Sequence, residues 1–151
     1  DLFTWFDVIY SLPDELERAA VWDMRRVLRP GGRLLNNVAA MPSLHGSHSI
    51  LSSELRRYTR SGLRRLLEGD GFEVERITYT NFSTLPLTAS VRMAQRLIGG
   101  HQESAAEITL PAAPINAVLS GLLLAESIAL KVTDMPAGSS LLCLARKPGI
   151  S

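Results

Sequence analysis

The chain has 151 residues, 46% hydrophobic and 21% charged, and its 16 basic and 15 acidic side chains leave a formal charge of +1. These values exclude a disordered chain, and a charge so near zero provides no field that selects nucleic acid as a partner. The single cysteine, Cys143, excludes an intrachain disulfide framework and a multi-cysteine metal site, and it suits a reducing, cytoplasmic setting. The length fits one domain over residues 1–151. Asp1-Leu2-Phe3-Thr4-Trp5 lacks the basic region of a signal peptide, and the missing initiator methionine points to a trimmed N-terminus.

Trp5-Phe6-Asp7-Val8-Ile9-Tyr10 is rich in aromatic and β-branched residues and predicts a first strand. Pro13 then opens a helix with Asp14, Glu15 and Glu17 at its start and Arg25, Arg26 and Arg29 at its end, the charge order that the helix dipole favours. Leu16, Ala19 or Ala20, Trp22 or Asp23, and Val27 supply an imperfect apolar stripe, which Leu28 extends. Pro30 cannot continue a helix, and Gly31-Gly32 supplies the freedom to reverse. Arg33 to Val38 follows as a short strand of the length expected in a sheet. A strand, helix and strand joined in this way predict parallel pairing.

The connection from Ala39 to Arg57 is long and irregular, and loops at the carboxyl ends of parallel strands are where α/β proteins place ligands. It holds His45 and His48, whose spacing suggests a metal only if a third ligand joins them, and none stands at a recognised spacing. Arg56, Arg57, Arg60, Arg64 and Arg65 form a basic cluster, either a solvated face or a clamp for an anionic group. Thr59 caps a second helix with Leu63, Leu66 and Leu67 on its apolar face, ended by Gly69 to Gly71. Phe72 to Tyr79 alternates as a strand with one wetter face.

Residues 81–137 change character. They predict two helices, Thr84 to Ile98 and Ile115 to Val132, separated by Gly99-Gly100 and by Pro111 and Pro114. Asn116, Glu126 and Lys131 interrupt the second, so it reads as a buried or interfacial helix and the chain has no transmembrane segment. The pair looks like a lid, with Ala117, Ser120 and Gly121 small enough for close packing. Ser139 to Lys147 is the last strand, and Cys143 within it reads as a small buried hydrophobe.

Phe6-Asp7-Val8-Ile9, followed by a helix closed by Arg26-Val27-Leu28-Arg29-Pro30-Gly31-Gly32-Arg33-Leu34, resembles the second half of a class I S-adenosylmethionine-dependent methyltransferase. Pro42, His48, Arg56-Arg57-Tyr58-Thr59, Gly71-Phe72-Glu73-Val74 and Leu141 to Pro148 follow in register, so the resemblance covers nearly the whole chain. It implies an α/β fold of three parallel strands and one antiparallel strand, flanking helices and a two-helix insertion at 81–137. The glycine-rich turn that carries most cofactor contacts in the family is absent, and the loop after the first strand falls about four residues short of the family's.

The resemblance further implies that Tyr10, Ser11 and Leu12 line the methionine side of S-adenosylmethionine. It places His48 as a substrate-orienting group or base and Arg56, Arg57 and Tyr58 on the substrate side, with no metal. A loop histidine held by backbone is the plain alternative for His48. An apolar or anionic small molecule is the acceptor expected on this resemblance. Without a preceding strand, the edge of strand 6–10 is bare, which predicts a homo-oligomer or a complementary half paired there. The alternative is a non-enzymatic interaction module that keeps the fold and uses it to oligomerise or bind a partner.

Overall fold

The computed structural model describes residues 1–42, 55–87, 89–90, 93 and 112–149. Helix α1 (Asp14–Val27) starts directly after Pro13, with Asp14, Glu15 and Glu17 in its first turn and Arg25 and Arg26 in its last. It ends at the proline-diglycine corner, where Gly31 adopts φ 80° and the Gly32 N–H closes onto the Arg29 carbonyl at 2.8 Å. Lys147, from the far end of the chain, donates its ammonium to the carbonyls of Arg25 and Leu28 at 2.8 and 2.6 Å. A cation there satisfies carbonyls that a helix end leaves open and opposes its negative dipole.

The corner delivers the chain into β2 (Arg33–Ala39), which lies parallel to β1 (Leu2–Phe6) with Leu2 opposite Arg33 and Phe6 opposite Asn37. Helix α2 (Arg60–Gly69) leads to β3 (Glu73–Thr80), and β4 (Ser140–Arg146) ends the sheet in sequence. The strand order is β1-β2-β4-β3, with β4 antiparallel to both neighbours. Three strands therefore run one way and β4 the other, the α/β arrangement expected.

One sheet face is the core. Leu34 and Val38 of β2, Leu141, Cys143 and Ala145 of β4, and Ile77 of β3 pack with Val21 and Met24 of α1, Leu28 beyond it, and Leu63 and Leu67 of α2. The Thr59 hydroxyl accepts the Gly62 N–H at 3.0 Å, the cap expected for α2, and Gly71 at φ 81° turns the chain into β3. Asn36 is buried in the same core, and neither atom of its amide has a hydrogen-bond partner. On the opposite face, Leu2 and Phe6 stay 59% and 49% exposed. β1 is an edge strand with a neighbour on one side only among the described residues.

Four expectations change. The first strand is Leu2–Phe6, because the chain leaves the sheet at Asp7, which takes φ 57°, and Ile9–Ser11 forms a 3-10 turn. The strand thus ends four residues earlier than Tyr10. The buried stripe of α1 is Val21 and Met24, continued by Leu28, while Leu16, Trp22 and Val27 are exposed. The alternation of β3 is broken by a register shift between Val74 and Arg76.

The fourth change concerns helix α3 (Ala113–Ala129), where of the two expected settings, buried or interfacial, the buried one does not hold. Ile115, Val118, Leu122, Leu123, Leu124 and Ile128 are exposed, and the one buried residue of the helix is Glu126. Of the preceding helix, residues 85–87, 89–90 and 93 are described, and they are helical. No helix among the described residues is long and apolar enough to cross a membrane.

Candidate functional site

All three parallel strands deliver their carboxyl ends to one edge of the sheet, and each is followed by a non-glycine residue in the left-handed region. Asp7 follows β1 at φ 57°, Met41 follows β2 at φ 57° and Asn81 follows β3 at φ 62°. Such backbone costs of order 1–3 kcal/mol per residue and clusters at sites where function over-determines the conformation. This edge is also where open α/β sheets bind ligands.

Between β1 and α1, the 3-10 turn displays Tyr10, Ser11 and Leu12, with the Ser11 hydroxyl bonded to the Val8 carbonyl at 2.7 Å. The segment entering α2 closes on this turn from the other side. Backbone N–H groups of Leu55 and Arg56 meet the Tyr10 carbonyl at 3.0 and 3.3 Å, and the Arg56 guanidinium reaches the Leu12 carbonyl at 2.7 Å. Tyr58 pairs with Ala40 in an isolated parallel bridge, its N–H on the Ala39 carbonyl at 2.9 Å. Two stretches of sequence that the resemblance put on opposite sides of a ligand are therefore in direct contact.

A charged cluster fixes that contact. Arg56 pairs with Asp14 at 2.6 Å and Glu17 at 2.9 Å, and the Tyr58 hydroxyl donates to Glu17. Burial works against the Arg56 charge, but Glu17, Tyr58 and Asp14 outweigh it and hold its pKa above the ordinary value. Burial first, then the Glu17 hydrogen bond and charge, push the Tyr58 phenol far above its ordinary range against the opposing pull of Arg56. Tyr58 is thus a fixed donor, and the Arg56 cation is neutralised where it sits.

Much of the remaining basic cluster is engaged in the same way. Arg57 donates to the Ala40 carbonyl at 2.9 Å. Arg60 donates to the Met135 carbonyl at 3.2 Å and lies over the Tyr79 ring at 5.2 Å, and Arg64 pairs with Glu68 at 3.1 Å. Beside the turn, Asp7 is clamped to β2 twice. Its N–H reaches the Asn37 carbonyl at 3.0 Å, and the Asn37 amide donates to Asp7 Oδ1 at 3.0 Å.

The insertion is tied down at the third strand end. The Glu126 carboxylate accepts the N–H groups of Phe82 and Ser83 at 3.1 and 2.9 Å and the Ser83 hydroxyl at 2.6 Å. Burial raises its pKa, but the bonds from Ser83, Phe82 and Asn81 prevail and hold it below the ordinary carboxylate value. Arg76 grips the exit of α3 through the Leu130 and Thr133 carbonyls at 2.7 and 2.9 Å and through Asp134 at 2.8 Å.

Tyr10, Ser11 and Leu12 and Arg56, Arg57 and Tyr58 accordingly lie together at the carboxyl ends of β1 and β2. His45 and His48 lie outside the described residues. Among those described, no group of three His, Cys, Asp or Glu side chains is placed to hold a metal. Glu17 and Asp7 escaped the sequence reading. Glu17 was legible only as dipole charge, whereas Asp7 carried a signal, since aspartate is depleted within strands and marked where β1 stops.

No family model and no curated protein matches the sequence. Solved structures do. The [4+2]-cyclase SpnF superposes with a TM-score of 0.52 at 21% identity, over 99% of this chain and 50% of that one. A protein described as a methyltransferase, solved with the Haloferax volcanii Trm112 methyltransferase activator, gives 0.52 at 14% identity over 98% and 54%. The Haemonchus contortus phosphoethanolamine N-methyltransferase 2, solved with S-adenosyl-L-methionine, gives 0.47 at 16% identity over 97% and 33%. The chain spans about half the length of the first two structures. With its sheet order and antiparallel β4, the likeness gives the chain a partial Rossmann-like methyltransferase fold.

Proposed function

We propose that this chain is the acceptor-side half of an S-adenosylmethionine-dependent methyltransferase, completed when a sheet half bearing a glycine-rich turn pairs with the open edge of β1. The observation that carries this reading is the union of Tyr10–Leu12 with Arg56–Tyr58 at the carboxyl ends of two parallel strands beside an edge strand with exposed Leu2 and Phe6. An apolar edge with unpaired backbone groups favours a partner strand. The Haloferax volcanii match, a protein solved with an activator, supports assembly with a partner.

In this reading Tyr10, Ser11 and Leu12 face the methionine side of the cofactor, and their backbone is held by Arg56 and, through Glu17, by Tyr58. When bound, the cofactor supplies an electrophilic methyl on a sulfonium. The chain's part is to orient the acceptor and keep water out, so catalysis is mostly positioning. His48 is assigned to the acceptor side as orienting group or base, and Arg57 to the same side. The helical insertion at 81–137 is a lid on one domain, and the charge-free exposed surface of α3 suits an acceptor with an apolar body.

Calorimetry with S-adenosylmethionine and S-adenosylhomocysteine tests the reading. Heat of binding to this chain, alone or with a complementary half, supports methyl transfer, and loss of that heat in Arg56→Ala supports the loop assignment. Silence in both samples sinks it in favour of an interaction module built on the same fold.

A further inference from the structure

We propose that α3 is the seam of a homodimer, in which it packs antiparallel against α3 of a second copy of this chain. The proposal stands apart from the methyl-transfer reading and from the open edge of β1.

Glu126 is the one buried residue of α3 and marks the side that faces the body, with Leu119 and Ala129 half-buried beside it. At 3.6 residues per turn, Ala117, Gly121, Leu124 and Ile128 line up on the opposite side. All four are exposed, Leu124 by 63% and Ile128 by 57%. Ile115, Val118, Leu122 and Leu123 are exposed as well. A helix apolar all round belongs in an interior, and the surface that α3 offers approaches what one partner brings to a standard interface, about 800 Å².

The shape of that line selects a second copy as its occupant. Its spacing of four, three and four residues is the repeat of a coiled-coil seam, and its residues are small in the first half and large in the second. Antiparallel pairing about a two-fold axis between Gly121 and Leu124 sets the partner's Leu124 over Gly121 and the partner's Ile128 over Ala117. The same two contacts recur on the other side of the axis, the self-complementarity that an isologous interface requires. A parallel pair would instead set leucine on leucine and leave a gap between glycines.

Gly121 supports this arrangement independently. Nothing stands within 4 Å of where its Cβ would be, so the packing of one copy gives no reason for a residue that weakens a helix interior. The partner's leucine supplies that reason. Charge agrees too. Glu126 is the one ionisable residue of α3, and it is turned inward onto Phe82 and Ser83, so two copies meet without like-charge repulsion and with their helix dipoles opposed. Lys131, next in the line, falls at the rim of the seam. A lipid surface suits α3 less well, because interfacial helices carry Lys or Arg along a polar face and α3 has neither.

Sedimentation equilibrium of the full chain tests the seam, and a reversible monomer–dimer equilibrium is expected. Leu124→Glu changes an exposed side chain and is expected to give a monomer with unchanged circular dichroism. Gly121→Leu adds apolar surface yet blocks the partner's Leu124, and is expected to weaken the dimer about tenfold or more. Ile128→Glu should also give a monomer, and Ala117→Lys added to it should restore the dimer at low salt. The two new charges face each other across the axis but stand about 16 Å apart along one helix, too far to pair within a copy. A wild-type monomer at millimolar concentration, a dimer indifferent to Leu124→Glu, a dimer tightened by Gly121→Leu, or failure of the charge-pair rescue overturns the seam. Uptake of the wild-type chain by phosphatidylcholine vesicles in place of dimerisation overturns it in favour of a lipid surface.

Discussion

The Tyr58 hydroxyl donates to the Glu17 carboxylate, joining residues 41 positions apart, and the same carboxylate receives Arg56 at 2.9 Å. Glu17 is therefore the point through which α1 holds both the segment entering α2 and the Tyr10–Leu12 turn. Tyr58→Phe removes one bond to a charged acceptor that keeps its arginine, and is expected to cost about 1.5–3 kcal/mol in urea unfolding. Glu17→Ala strands the phenol and takes from Arg56 the less exposed of its carboxylates Asp14 and Glu17, so its cost should exceed that of Tyr58→Phe. It should also speed hydrogen exchange at Ser11 and Leu12. Equal costs in the two variants would show that the carboxylate is not the hub.

Glu126 should give the attachment of α3 an acid limit. Its folded pKa lies below the ordinary 4.5 because Ser83 and Phe82 donate to the charged form. Its contribution is complete above the unfolded carboxylate value and is lost as pH falls through the lowered folded value. Hydrogen exchange at Phe82 and Ser83, followed from about pH 6 to about pH 3, is expected to lose protection at the low end. Glu126→Gln should reduce protection at the upper end of that range and flatten the dependence.

Asn36 is fully buried with its amide oxygen and nitrogen unpaired, next to Trp5 on β1 and Cys143 on β4. An unmade bond of this kind costs about 1–3 kcal/mol. Asn36→Leu, close in volume, is therefore expected to raise the urea midpoint. A lower midpoint in that variant would mean the amide is satisfied in solution.

Cys143 is fully buried, and burial, reinforced by Glu68 and opposed by Arg64, pushes its thiol up to about 12. Reaction needs the thiolate and access to it. Labelling by a thiol reagent at neutral pH should therefore proceed only as fast as the fold opens, and should accelerate in Glu17→Ala in step with its loss of stability. Rapid labelling of the native chain would contradict the packing of β4.

Much of the fold was legible. The proline-diglycine corner announced a helix end and a following strand, and the Thr59 cap and the alternation from Phe72 located α2 and β3. The first strand was misplaced because Leu2 to Tyr10 is nearly continuously apolar, Asp7 is the one local mark against that run, and pairing with β2 fixes the window. The buried face of α1 was likewise undecided, since Leu16, Trp22 and Val27 compete with Val21 and Met24, and the contact with Leu34 and Val38 settles the rotation. Of the candidate site, the turn at Tyr10–Leu12 and the segment at Arg56–Tyr58 were visible as residues, but nothing local indicated that Arg56 would meet the Leu12 carbonyl.

The sequence by itself determined where elements begin and end at its hard signals, because proline, glycine and a capping threonine act within a few residues of where they stand. Only the tertiary structure decided that Glu17 would serve Tyr58 and Arg56, that Asp7 would be locked to Asn37, and that Glu126 would turn inward from an otherwise apolar helix. Those are bonds between groups dozens of residues apart, formed where burial makes an unpaired polar atom costly, and no short window of sequence contains both partners.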